Sequence, residues 1–132
     1  MNGIWEGIAF ADLNNDGRDE VVAGSNSGTV YVLDSTVKVI TSKPTSGSVC
    51  AINDLDGDGQ KEIVIADGAT VRVVNRNLAQ LWSRTVGTNI GPVVVSDLDR
   101  NGRNEIILGA DKLYVFEAQP LTAVRRAWLL YP

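Results

Sequence analysis

The chain has 132 residues, 44% of them hydrophobic and 21% charged, with a formal net charge of −4, which suits one folded domain. It contains no histidine and a single cysteine, Cys50. Those counts exclude an intrachain disulfide, a Ser-His or Cys-His catalytic pair, and a His-rich zinc or iron site.

Met1 to Gly7 hold neither a basic stretch nor a long apolar run, so no signal peptide is visible. No later segment reaches the roughly 20 apolar residues that a membrane span needs. A first strand is predicted at residues 8–11. The acidic loop Asp-Leu-Asn-Asn-Asp-Gly-Arg-Asp-Glu follows at 12–20, and a second strand at 20–23. A third strand is predicted at 29–33 and a fourth, less regular, at 38–41, before Pro44 breaks the pattern. The order then returns. Strands at 49–52 and 62–66 flank the loop Asp-Leu-Asp-Gly-Asp-Gly-Gln-Lys-Glu at 54–62, and strands at 70–74 and 80–85 follow. Cys50 falls in the first of these runs and reads as a small buried core residue. After Gly87 and Gly91 come strands at 93–95 and 105–108 around the loop Asp-Leu-Asp-Arg-Asn-Gly-Arg-Asn-Glu at 97–105. The last strands are predicted at 112–116 and 127–131.

These runs are short and rich in Val and Ile, which favours strands over helices. Each acidic loop therefore joins the two strands of a β-hairpin. The first Asp recurs after 42 residues and again after 43. That period, with four antiparallel strands per unit, is the size and content of one β-propeller blade. The predicted architecture is all-β, with three four-stranded antiparallel blades at 1–46, 47–90 and 91–132. Propellers usually close with about four to eight blades. Two copies of the chain would supply six, so a homodimer that completes a six-blade ring is expected; a piece of a longer propeller and a compact three-blade array are the alternatives.

The loops carry the chemistry. In nine residues, positions one, three and five present oxygen-bearing side chains: Asp12, Asn14 and Asp16; Asp54, Asp56 and Asp58; Asp97, Asp99 and Asn101. Position six is Gly17, Gly59 or Gly102, where a sharp bend at positive φ is allowed. Position seven, Arg18, Gln60 or Arg103, offers its backbone carbonyl while its side chain points to water. Position nine, Glu20, Glu62 or Glu105, closes the set with a carboxylate. Six or seven oxygens suit calcium better than magnesium, which demands stricter octahedral geometry. About three calcium ions per chain are expected. Position twelve is Ala23, Ile65 or Leu108, not the glutamate of an EF-hand. Ten of the sixteen Asp and Glu residues lie in these ligand sets. Three divalent ions would bring the formal charge to about +2, so the acidity reads as metal chemistry. The basic residues are scattered, with no stripe suited to nucleic acid.

The pattern Asp-x-Asp/Asn-x-Asp/Asn-Gly-x-x-Glu between two strands, repeated at blade spacing, resembles the FG-GAP/VCBS repeat family. Its members are the calcium-binding blades of integrin-α-like propellers and related bacterial and archaeal proteins. The resemblance covers all three units. It implies structural calcium in each loop, a role in recognition, adhesion or scaffolding, and an extracellular or cell-surface setting. The chain departs from the family by closing its loops with Glu where Asp is common, by Asn101 in place of Asp, and by its low blade count.

Three functional readings follow. The first is a calcium-stabilised module that binds a protein or glycan partner. Loops at 25–27 and 75–77 are its candidate surfaces, and Trp5, Trp82 and Trp128 either stack on sugars or pack between blades. The second is a fragment of a propeller enzyme acting on polysaccharide. No candidate acid and base group outside the loops, so no catalytic residue is assigned. Asp34, Asp67 and Asp111 read as turn residues. The third is a self-assembling unit whose exposed end faces associate with copies of itself.

Overall fold

The computed structural model describes residues 5–117 and 126–130. They form three antiparallel four-stranded sheets, each a simple up-and-down meander. Sheet one contains β1 (Trp5–Ala11), β2 (Glu20–Ser25), β3 (Thr29–Leu33) and β4 (Val39–Lys43). Sheet two contains β5 (Ser48–Asn53), β6 (Glu62–Asp67), β7 (Thr70–Val74) and β8 (Gln80–Thr85). Sheet three contains β9 (Val93–Ser96), β10 (Glu105–Gly109), β11 (Leu113–Glu117) and β12 (Arg126–Leu130). Among the described residues, no helix is long and apolar enough to cross a membrane.

The sheets stack face to face, with β1 beside β5 and β5 beside β9. One core lies between sheets one and two, where Val22, Val30 and Val32 meet Ile63, Ile65 and Val74. A second lies between sheets two and three, where Val64, Val71 and Val73 meet Ile106, Leu108 and Phe116. This explains the unbroken apolar run in β6. Alternate residues of a strand face opposite sides of its sheet. Sheet two is covered on both sides, so Ile63, Val64 and Ile65 are each 0% exposed.

Trp82 packs rather than standing free: its ring meets Phe116 edge-on, with centroids 5.5 Å apart. The side chains of Trp5 and Trp128, and all of Tyr131, lie outside the described residues. Two strands start one residue later than predicted, because Lys38 and Lys112 serve their turns. Their carbonyls accept hydrogen bonds from the N–H groups of Asp34 and Ala110, each at 2.9 Å. Asp34 is a turn residue, its Oδ1 accepting from the Thr36 and Lys38 N–H groups at 2.9 and 3.0 Å. Asp67 instead pairs with Arg72 at 3.1 Å, and Asp111 accepts from the Tyr114 hydroxyl at 2.8 Å. Cys50 corrects the expectation of full burial. It is only half-buried, and its thiol donates to the Ser48 carbonyl at 3.2 Å.

Candidate metal centre

Each acidic loop joins the first two strands of its sheet, and all three fold alike. The position-one carboxylate reaches across the loop. Asp12 Oδ2 accepts from Gly17 N–H at 2.8 Å, Asp54 Oδ2 from Gly59 N–H at 2.9 Å, and Asp97 Oδ2 from Gly102 N–H at 2.9 Å. Positions three and five each accept from a backbone N–H two residues on. Asp56 Oδ1 takes Asp58 N–H at 3.1 Å and Asp58 Oδ1 takes Gln60 N–H at 2.8 Å. Asn14 and Asp16, and Asp99 and Asn101, do the same in the other loops. These bonds turn one oxygen of each side chain toward the backbone and hold the loop as a bowl.

The position-nine glutamates form its floor. Glu20, Glu62 and Glu105 are 2%, 3% and 1% exposed. One oxygen of each accepts the N–H of the position-two leucine, at 2.8 Å for Leu13 and 2.7 Å for Leu55 and Leu98. In the third loop the other oxygen, Glu105 Oε1, is buried with no hydrogen-bond partner. A buried carboxylate oxygen left in that state is costly, and a cation in the bowl would satisfy it. Ligand oxygens of Asp54, Asp56, Asp58 and Glu62 lie within 4.8 Å of one another, as do those of Asp97, Asp99 and Glu105. Asp12, Asp16 and Glu20 do not gather in this way. The donors are hard oxygens throughout, which fits calcium. When bound, calcium would supply positive charge and a template for the loop, without redox chemistry.

Electrostatics point the same way. Burial, opposed by the Leu55 N–H and reinforced by the charges of Asp56, Asp58 and Asp54, pushes the Glu62 carboxyl up to about 7. Burial likewise raises Glu105, helped by Asp99 and Asp97, and raises Asp56 beside Asp58 and Asp54. Glu62 lies above its ordinary value of 4.5 in the folded state. Its contribution to stability is therefore complete below that ordinary value and is lost as pH rises through about 7. Chelator-treated protein should thus melt several degrees lower at about pH 8 than at about pH 5.5. Calcium should abolish that slope. A chelator-treated protein whose melting temperature is flat over this range would show that the Glu62 carboxyl is not raised in the folded protein.

Three features of the site are hidden in the sequence. Position four adopts a left-handed conformation in every loop, at Asn15 (φ 62°), Gly57 (φ 78°) and Arg100 (φ 59°), and so does the glycine at position six. Position eight ties each loop to the preceding one. Lys61 Nζ donates to the Asp12 carbonyl at 3.2 Å, and Asn104 Nδ2 to the Asp54 carbonyl at 2.9 Å. Position seven points to water at Arg18 and Gln60, but Arg103 corrects that expectation by pairing with Glu117 at 3.0 Å. Glu117 is 3% exposed, so the type of residue at position 103 matters.

Residues 12–65, from the first loop into β6, match the family model of the FG-GAP-like repeat. No curated protein matches the chain. Among solved structures the chain is similar to BBS1N, crystallised in complex with ARL6DN. The identity is 13% and the TM-score 0.68, over 93% of this chain and 42% of that one. It is also similar to BamB from Moraxella catarrhalis, at 17% identity and a TM-score of 0.54, over 85% of this chain and 38% of that one. The chain spans less than half the length of either. At such identities the likeness shows the fold alone: the chain is a propeller repeat module.

Proposed function

We propose that this module binds calcium in its three hairpin loops, that the ions are structural, and that two copies of the chain complete a six-blade ring. The observation that carries the metal reading is the buried Glu105 Oε1, without a partner at the floor of a bowl of clustered carboxylates. The repulsion around Glu62 supports it. The loop carboxylates are engaged with their own backbone, which suits a scaffold and not a catalyst. The module's role is recognition, adhesion or scaffolding outside the cytoplasm, where calcium is plentiful enough to fill sites of this kind. A protein or glycan partner has a candidate surface at the opposite end of the blades from the calcium loops. There a hollow of about 190 Å³ is lined by Ser25, Asn26, Ser46, Ser48 and Asp67.

Native mass spectrometry from calcium-containing buffer tests the reading directly. About three calcium ions per chain, displaced by a chelator, are expected. A chain that carries none under these conditions would reduce the loops to hairpin turns.

A further inference from the structure

The two joints inside the chain show how one blade receives the next, and they identify what belongs on its two open faces. Strand pairing sets the correspondence. Ile8 and Phe10 pair with Ala23 and Val21 just as Val49 and Ile52 pair with Ile65 and Ile63. Val49 is 4% exposed against sheet one, and Ile52 packs into the same core. Their counterparts Ile8 and Phe10 are 63% and 71% exposed. The same contrast holds in the turn after the third strand. Leu78 (φ 64°) is 4% exposed between the sheets, whereas Val37 (φ 66°) is 77% exposed. A β-branched residue is strained at such a φ.

The far face of sheet three mirrors this. Val94 pairs with Ile107 as Ala9 pairs with Val22 and Ala51 with Val64. Leu98 stands at loop position two, where Leu13 and Leu55 are 2% and 0% exposed, yet it is 58% exposed. Seven of the nine large hydrophobic residues exposed among the described residues lie on these two faces: Ile8, Phe10, Val37, Val39, Val94, Leu98 and Leu113.

We infer that the open face of sheet three in one copy packs head to tail on the open face of sheet one in a second copy, and that the same contact at the other end closes a dimer. At the positions named, each face presents apolar side chains whose counterparts the internal joints bury, so the contact continues an interface already present twice in the chain. The inference rests on the six-blade reading above and supplies its contact surface. One internal tie is not reproduced. Lys61 and Asn104 each donate to the carbonyl of the preceding loop's first Asp, but their counterpart Asp19 has no donor to offer the Asp97 carbonyl.

Sedimentation velocity on the full chain in calcium, at micromolar concentration, tests this. The unaltered protein is expected to be a dimer. Phe10→Lys and Val94→Lys should each give a monomer that retains the unaltered protein's calcium stoichiometry, since both side chains are exposed. Mixing the two variants should recover part of the dimer, because one of its two joints is then unaltered; only a head-to-tail arrangement predicts this. Asp19→Asn should tighten the dimer severalfold by restoring the missing donor. The contact is overturned by a monomeric unaltered chain, by a dimer that survives both lysine substitutions, or by an Asp19→Asn dimer of unchanged affinity. It is overturned equally by a dimer lost in Phe10→Lys but not in Val94→Lys, which would mean that sheet one pairs with sheet one. A dimer that carries no calcium in calcium-containing buffer would sink the metal reading and leave this contact standing.

Discussion

Replacing Asp54 and Asp58 together by alanine is expected to lower the melting temperature of the calcium-loaded protein by about 10 °C. A site filled at about 100 times its dissociation constant contributes about 2.7 kcal/mol. For a domain of this size each kcal/mol moves the midpoint by roughly 3–5 °C. The second loop is the place to look, because it gathers four carboxylates and the others three or fewer. The sign in chelator separates metal binding from simple damage. Asp58→Asn keeps an oxygen for the Gln60 N–H, as Asn101 keeps one for Arg103 N–H in the third loop. It removes only charge. Without metal it should therefore raise the melting temperature by relieving the repulsion around Glu62, and in calcium it should lower it. Matched thermal melts in calcium and in chelator give both numbers. Equal shifts in the two buffers would mean that the loop holds no ion.

Gly7→Ala should cost upwards of about 3 kcal/mol, while Gly17→Ala costs only about 1–2. Both glycines sit at positive φ, +80° and +87°, so both substitutions strain the backbone. They differ in what surrounds them. A Cβ at Gly17 meets nothing within 4 Å. At Gly7 it would overlap the carbonyl oxygen of Val49 and come within 2.6 Å of the Val49 nitrogen. Those are backbone atoms of β5, in the neighbouring sheet, and cannot turn aside as a side chain can. Sheet one must move away from sheet two, which opens the core that Val22, Val30 and Val32 share with Ile63 and Ile65. Urea denaturation with both variants measures the difference. Losses that agree within error would show that the sheets are not packed this closely at β1.

The strands were legible because each is a short Val/Ile run bounded by turn residues, and because the pattern recurs at a fixed spacing. The shared ligand positions of the loops were legible for the same reason. Position six declared its bend through glycine at every copy. Position four adopts an equally unusual φ, but its occupants are Asn15, Gly57 and Arg100, and an arginine there gives no sign of it. The Lys61 and Asn104 ties join residues about one blade apart, 49 and 50 positions along the chain, so no local pattern records them. The Arg103–Glu117 pair was missed similarly: the two meet only because β10 and β11 are hydrogen-bonded in register.

Local chemistry, by itself, determined the strand types, the hairpin loops, the oxygen donors and the repeat, since each depends on residues within a few positions of one another. Tertiary structure alone decided which face of each sheet is covered. Ile52 and Phe10 hold the same place in their strands, yet one is packed in a core and the other 71% exposed. The physical reason is that burial depends on what lies about 10 Å above a sheet, and that neighbour belongs to another part of the chain or to another molecule.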